Sequence, residues 1–264
     1  MAVIVAAQPG TPKIGAPALP QPQQRARTGS VSSTDSGVAL PSFEALAPSR
    51  PPTTVAAEEV AIAVPGSCDV RLKVDAGPGC GGIAWPAGEV LLRYLAHRHA
   101  RAPEHLRGKT VLELGSGTGL VGLAAAMLEP AADVWVTDQD VLLSLMRENA
   151  ELNLPGAGNI HVEELSWGAE LPAAIPTADA DVVLAADCVY FEPAFPLLVK
   201  TLCDLAPVGK DMEILFCYKK RRKADKRFFA MLKKHFDWTV VEDDIEREKY
   251  NREGVMLWRL RRRR

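Results

Sequence analysis

Gly115, Gly117 and Gly119 alternate directly after the apolar run Val111-Leu112-Glu113-Leu114 and lead straight into Leu120 and Val121. Glycine lets a backbone turn sharply and approach a ligand closely, and amides at a helix start can hold a carboxylate or a pyrophosphate. With Glu113 before it and Ser116 inside it, the loop is a candidate cofactor cradle. Its ligand stays open here, because Gly117-Thr118-Gly119-Leu120-Val121-Gly122 also satisfies the dinucleotide pattern GxGxxG. Asp138 ends the next strand-like run, where a carboxylate can accept hydrogen bonds from two ribose hydroxyls, a group common to both cofactor classes. Asp140 is the better N-cap for the helix that follows.

A second constellation, Ala186-Asp187-Cys188-Val189-Tyr190, lies just past a later strand. In a doubly wound sheet that strand neighbours the first, so Asp187 and Tyr190 border the crevice where ligands bind. By contrast, His97, His99, His105, His161 and His235 form no ligand set with the cysteines, and no metal site is expected.

These residues need a scaffold, and the patterning supplies one. From 8 to about 54 the chain is rich in Pro, Ser, Ala, Gln and Gly and poor in aromatics, which predicts a disordered tail over 1–57. A domain at 58–264 follows. Val60, Ile62 and Val64, then Val70, Leu72 and Val74, alternate around Pro65-Gly66-Ser67 and predict a β-hairpin. A glycine-rich turn at Gly79, Gly81 and Gly82 leads to a helix over 86–99 with Val90, Leu91, Tyr94 and Leu95 on one face.

Strands at 110–114, 133–137, 160–165, 181–186 and 212–218 then alternate with helices at 119–129, 140–153, 194–206 and 224–235. Such alternation calls for an α/β fold with a doubly wound, mostly parallel, seven-stranded Rossmann-like sheet. Two closing runs at 238–241 and 255–260 predict a terminal antiparallel pair, separated by a charged stretch at 242–254 with no helix.

The 264 residues carry a formal charge of −2, which argues against a surface built throughout for nucleic acid. No apolar run approaches the ~18–20 residues that span a bilayer, and 1–7 lacks the basic start of a secretory signal. Cytoplasm is the expected compartment, a monomer the expected state, and no membrane partner is expected. The five cysteines contain no CxxC pair and read as reduced and mostly buried.

The order hydrophobic-Glu-hydrophobic-Gly-x-Gly-x-Gly resembles the first motif of class I S-adenosylmethionine methyltransferases. Gly82-Ile83-Ala84-Trp85-Pro86, Leu165-Ser166-Trp167-Gly168 and Ala185 to Tyr190 are similar, in the same order, to the family that methylates lysines on non-histone proteins. The run from Ile214 to Phe229 most resembles the fungal elongation factor 1-alpha lysine methyltransferases. The resemblance implies S-adenosylmethionine as cofactor, with Trp85, Glu113, Gly115, Ser116, Gly117, Gly119, Asp138, Trp167 and Ala186 around it. It also implies Asp187 and Tyr190 at the methyl-accepting end and elongation factor 1-alpha as protein partner.

The chemistry this asks for is modest. A lysine must lose its proton before it can attack a sulfonium methyl, and a cationic cofactor nearby itself depresses that lysine's pKa. Asp187 is expected to orient the ammonium and pass its proton onward, with Tyr190 bordering the lysine channel. Enzymes that methylate base amino groups resemble one another in an Asp-Pro-Pro-aromatic segment, where this chain has Cys188-Val189; nucleic acid is therefore not the expected substrate. Lys219 to Arg227 holds seven basic residues and one acid, readable equally as a docking face or a solvated one. Another protein lysine, a chaperone's included, or a small molecule is the nearest alternative substrate. An NAD-dependent oxidoreductase and a non-catalytic binding module stand behind these.

Overall fold

The apolar runs become strands buried on both faces, as parallel strands flanked by helices must be. The computed structural model describes residues 58–75, 77 and 80–264; the tail expected over 1–57 and Gly79 of the glycine-rich turn lie outside the described residues. In chain order the elements are β1 (Glu58–Ile62), β2 (Val70–Val74), α1 (Pro86–Arg101), β3 (Thr110–Leu114), α2 (Leu120–Leu128), β4 (Asp133–Asp138) and α3 (Asp140–Asn153). They continue with β5 (Ile160–Glu164), β6 (Val182–Ala186), α4 (Phe195–Leu205), β7 (Glu213–Lys219), α5 (Asp225–Leu232), β8 (Phe236–Val240), α6 (Arg247–Arg252) and β9 (Val255–Arg262).

Seven strands form one sheet in the order β5-β4-β3-β6-β7-β9-β8, and β1 and β2 form a separate antiparallel hairpin. β3 to β7 are parallel, while β9 runs antiparallel to both β7 and β8. The chain winds outward from β3 to β5, then returns to place β6 on the other side of β3. That reversal opens the crevice at the carboxyl ends of these two strands.

Side chains alternate strictly across the sheet. Val111, Val182, Leu184, Leu215 and Cys217 pack against Val90, Leu91, Tyr94, Val121 and Ala125 of α1 and α2. Leu112, Leu114, Val183, Ala185, Ile214 and Phe216 face Phe195, Leu198, Leu202 and Phe228 of α4 and α5. Glu113 shares the first face yet is only 2% exposed, and its Oε2 accepts the Gly122 amide at 2.8 Å. A strand carboxyl thus caps the first turn of the helix that follows it, which pins the intervening glycine loop at both ends.

The hairpin is fastened by two asparagines one turn apart on α3. Asn149 Oδ1 accepts the Lys73 amide at 2.7 Å, and its Nδ2 donates to the Lys73 carbonyl at 3.1 Å and the Thr118 carbonyl at 2.9 Å. Asn153 repeats the pattern on Arg71, accepting its amide at 2.8 Å and donating to its carbonyl at 2.6 Å. The two side chains thereby pair the outer edge of β2 as a neighbouring strand would. Docked in this way, the hairpin carries the short turn Cys80–Gly82 over the glycine loop.

Three details differ from expectation. Within 242–254, α6 forms because Asp244 Oδ1 accepts the Glu246 amide at 3.1 Å and Tyr250 is buried, so the charged stretch has an apolar anchor. Asp140 is the first residue of α3 rather than its cap; Gln139 takes that place with no side-chain capping bond. Of the five cysteines only Cys188 and Cys217 are buried, and Cys68 is exposed in the hairpin turn.

Asn149→Ala should cost roughly 1–3 kcal/mol through the unpaired Lys73 and Thr118 groups. It should lower the melting temperature and accelerate hydrogen exchange of the Lys73 amide; unchanged protection there would contradict the edge pairing. Glu113 offers a pH test, because burial, opposed by the Gly122 amide, pushes its carboxyl from 4.5 up to about 8. The folded state holds this proton more tightly, so stability present below pH 4.5 is lost as pH rises toward about 8. Relative to Glu113→Gln, the wild type should lose melting temperature between those limits, and parallel curves would exclude the linkage.

Candidate active site

Five strand ends and one turn supply the walls of a single cavity of about 540 Å³, within the ~300–1,000 Å³ range of small-molecule sites. The turn from β3 contributes Glu113, Gly115, Ser116 and Gly117, β4 contributes Asp138, and the segment after β5 contributes Trp167. Ala186, Asp187 and Tyr190 come from the end of β6, Arg221 from beyond β7, and Trp85 from the residue before α1. All the candidate residues from the sequence meet here except Gly119. With φ of 83°, Gly119 is the left-handed N-cap of α2, and its role is to start the helix.

The glycine loop is built from self-directed hydrogen bonds. Asp138 Oδ2 accepts the Gly117 amide at 2.8 Å, the Ser116 amide donates to the Thr137 carbonyl at 3.0 Å, and the Gly119 amide donates to the Ser116 carbonyl at 2.8 Å. Ser116 Oγ in turn accepts the Thr137 amide at 3.0 Å, lacing the loop to β4. Two amides of the loop and helix start are thus taken from within: Glu113 takes Gly122, and Asp138 takes Gly117.

The glycines themselves serve close approach. At Gly115, φ is 61°, and an added Cβ would lie 2.8 Å from Cζ2 of Trp167 and 3.3 Å from Sγ of Cys188. At Gly117, φ is 58°, and a Cβ would meet the Gly81 carbonyl oxygen at 2.4 Å. The loop is thus clamped between the Trp167 ring and the Cys80–Gly82 turn. Trp167, 8% exposed, belongs to the core and lines the cavity as well.

The charge of the lining comes from Asp138 and Asp187 set against Arg221, while Glu113, pushed up to about 8 by burial, stays protonated near neutral pH. Asp138 also accepts the Gln139 amide at 2.8 Å. Burial, opposed by the Gln139 and Gly117 amides, pushes its carboxyl up to about 6. Each oxygen keeps a second lone pair, enough for a ribose diol. A cationic adenosine ligand suits this acid-rich lining better than a polyanion does.

Also in the lining, Asp187 is 7% exposed and, alone among the described non-glycine residues, has positive φ, at 57°. Its amide donates to the Cys217 carbonyl at 2.9 Å, and Oδ1 accepts the Lys219 amide at 3.2 Å. Arg221 grips both carboxylate oxygens, with Nη1 to Oδ1 at 2.6 Å and Nη2 to Oδ2 at 2.7 Å. The same guanidinium lies 5.0 Å from the centre of the Trp85 ring, whose Nε1 donates to the Cys80 carbonyl at 2.7 Å. Tyr190 stands 37% exposed and hydrogen-bonds Cys80; partial burial of the hydroxyl and then this thiol push its phenol up. Cys188 donates to the Leu114 carbonyl at 3.3 Å, and burial pushes its thiol well up, which suits packing rather than nucleophilic attack.

Arg221 is the site residue that motif reading missed, because it is hidden in the basic run. Asp225, four residues on, is the signal that could have found it. Buried at the start of α5, it accepts the Tyr218 hydroxyl at 2.8 Å and the Arg222 and Arg221 amides at 3.0 and 3.4 Å, turning the chain so that Arg221 enters the cavity. Burial would raise this carboxyl, but Tyr218 and the two amides hold it below the usual range. The rest of the run divides: Arg222 pairs with Asp225 and Arg227 with Glu192, while Lys220, Lys223 and Lys226 are exposed.

Comparison with known proteins agrees with this geometry. A protein family described as lysine methyltransferase matches residues 66–235. The chain is 43% identical over 203 residues to the protein-lysine N-methyltransferase EFM6 of Saccharomyces cerevisiae, covering 69% of this chain and 81% of that protein. It is 36% identical over 172 residues to the protein N-lysine methyltransferase METTL21A of Danio rerio, covering 64% and 75%. EEF1A lysine methyltransferase 3 of Mus musculus is 36% identical over 168 residues, covering 63% of this chain and 68% of that protein. S-adenosylmethionine is the methyl donor of such enzymes. A crevice at the β3/β6 reversal, an acid-rich lining, and a family match that spans both place the chain in the lysine methyltransferase family, as an S-adenosylmethionine-dependent protein-lysine methyltransferase.

Proposed function

We propose that this enzyme transfers a methyl group from S-adenosylmethionine to a lysine of translation elongation factor 1-alpha in the cytoplasm, working as a monomer through its 58–264 domain. The observation that carries the reading is one cavity whose lining brings Asp138 and the glycine loop together with Asp187 and Tyr190. The substrate assignment draws on the name of the mouse relative and on the likeness of 214–229 to elongation factor methyltransferases.

In this reading Asp138 holds the ribose hydroxyls and Trp167 borders the adenine. Gly115, Gly117, Ser116 and Ala186 keep the floor narrow, and Trp85 closes the methionine side. Glu113 acts from beneath, keeping α2 and the loop in place. The cofactor supplies an electrophilic methyl; the chain's own task is to bring a neutral amine to it in line and shield both from water. Tyr190 and Phe191 at the mouth give the lysine stem an apolar wall. Asp187 positions the amine nitrogen, and the proton leaves toward solvent before attack.

Purified enzyme, labelled cofactor and folded elongation factor 1-alpha should give label on a lysine of that factor. A folded, cofactor-binding enzyme that labels only other proteins in an extract would remove this substrate. Asp187→Ala should retain affinity for S-adenosylhomocysteine while transfer falls by about 10²-fold or more; equal loss of both would move Asp187 out of the acceptor end. Asp138→Ala should weaken that affinity by about tenfold or more in calorimetry. Because the ionised carboxylate is the better acceptor, wild-type affinity should also fall as pH drops below about 6. A flat pH dependence would argue against ribose binding by Asp138.

A further inference from the structure

Arg221 occupies the acceptor end in a way that the proposed reaction does not by itself explain. A methyl acceptor needs its nitrogen lone pair, and an ordinary lysine, with a pKa near ~10.4, is almost wholly protonated at neutral pH. A carboxylate standing alone at the acceptor position would worsen this, because an opposite charge within ~4–6 Å favours the charged form of its partner. Asp187 does not stand alone. Its two oxygens receive the two guanidinium nitrogens of Arg221 at 2.6 and 2.7 Å, and Arg221 itself lines the cavity.

The clamp is built from both sides. The Trp85 ring lies 5.0 Å from the guanidinium, and Asp225 fixes the backbone of Arg221 and Arg222. We propose that Arg221 is a positioning residue for the methyl acceptor: held between Asp187 and Trp85, it keeps the carboxylate neutralised, so that the site receives the substrate lysine as a neutral amine rather than as a paired ammonium. The inference rests on the assignment of Asp187 to the acceptor end made above.

The charge balance follows. The incoming ammonium gives its proton to water at the mouth, favoured by the fixed cation of Arg221. Its freed lone pair then forms the new N–C bond as the S–C bond breaks, those electrons remaining on sulfur. The positive charge ends on the methylated nitrogen, which Arg221 again disfavours and so helps to release. Other titratable groups around the pair do not replace this control. Tyr218 and Asp225 are bonded to each other behind the guanidinium, and burial pushes the thiols of Cys188 and Cys217 well up. Cys80 and Tyr190 are engaged with one another, Lys219 reaches Asp187 through its backbone amide, and Asp138 is bonded to the Gly117 and Gln139 amides.

The test is the pH profile of kcat and KM for the acceptor protein in wild type, Arg221→Gln and Arg221→Lys. Arg221→Gln leaves Asp187 free to pair with the ammonium. It should lower kcat by about tenfold or more near neutral pH without raising KM, and shift the rising limb of kcat upward by about one pH unit or more, so that the deficit closes in alkali. Arg221→Lys, which keeps the charge, should retain a rising limb close to wild type. Affinity for S-adenosylhomocysteine, measured by calorimetry, should be the same in all three and reports an intact fold. A fall in kcat of Arg221→Gln at every pH with an unmoved limb, or a limb displaced equally in Arg221→Lys, would overturn the proposal. Wild-type enzyme that is inactive on the factor at all pH values would instead count against the substrate reading.

Discussion

The glycine loop keeps its shape because two carboxyls of the chain itself bond amides of the loop and of the first turn of α2. Glu113 accepts from Gly122 and Asp138 from Gly117, each at 2.8 Å. Burying a carboxyl at the foot of a helix is costly unless it is bonded, and here the bonding fixes the strand, the turn and the first turn of α2 relative to one another. Everything at the cofactor end follows from that turn. Trp167 can press against Gly115, and Gly81 can approach Gly117, only because neither glycine carries a Cβ.

The acceptor end is organised differently, by residues converging from β6, β7 and the turn before α1. Asp187 sits in a left-handed conformation that an L-residue adopts at a cost of about 1–2 kcal/mol. Its amide, both carboxylate oxygens and the neighbouring strand all hold it there. Such over-determined strain at a crevice is characteristic of functional positions. The hairpin contributes indirectly: two asparagine side chains on α3 complete its edge, and through it the Cys80–Gly82 turn roofs the loop and accepts the Trp85 indole.

Much of this was legible in the sequence where the signal is local. Strict alternation of apolar residues and a turn at Pro65-Gly66-Ser67 specify the hairpin, and three spaced glycines after an apolar run specify the cradle, because periodicity and φ freedom act within a few residues. What escaped is tertiary. Nothing about Asn149 and Asn153 as residue types announces that they will act as a strand, and Glu113 shows its reach only once it is folded beneath α2. In the basic run, charge composition masked a division of labour: Arg221, its backbone held by Asp225, binds Asp187 in the cavity lining, whereas Lys220, Lys223 and Lys226 lie outside that lining. The helix at Arg247–Arg252 was missed because a single buried Tyr250 outweighs a hydrophilic composition.

A crystal structure of the enzyme with S-adenosylhomocysteine would test the central claim most directly. The account requires the ribose hydroxyls on Asp138 with the Gly117 amide still bonded to that carboxylate, Glu113 unmoved beneath Gly122, and the sulfur facing the Asp187–Arg221 pair. A ligand seated instead on the amides of α2 with Glu113 displaced, or a sulfur turned away from Asp187, would contradict it.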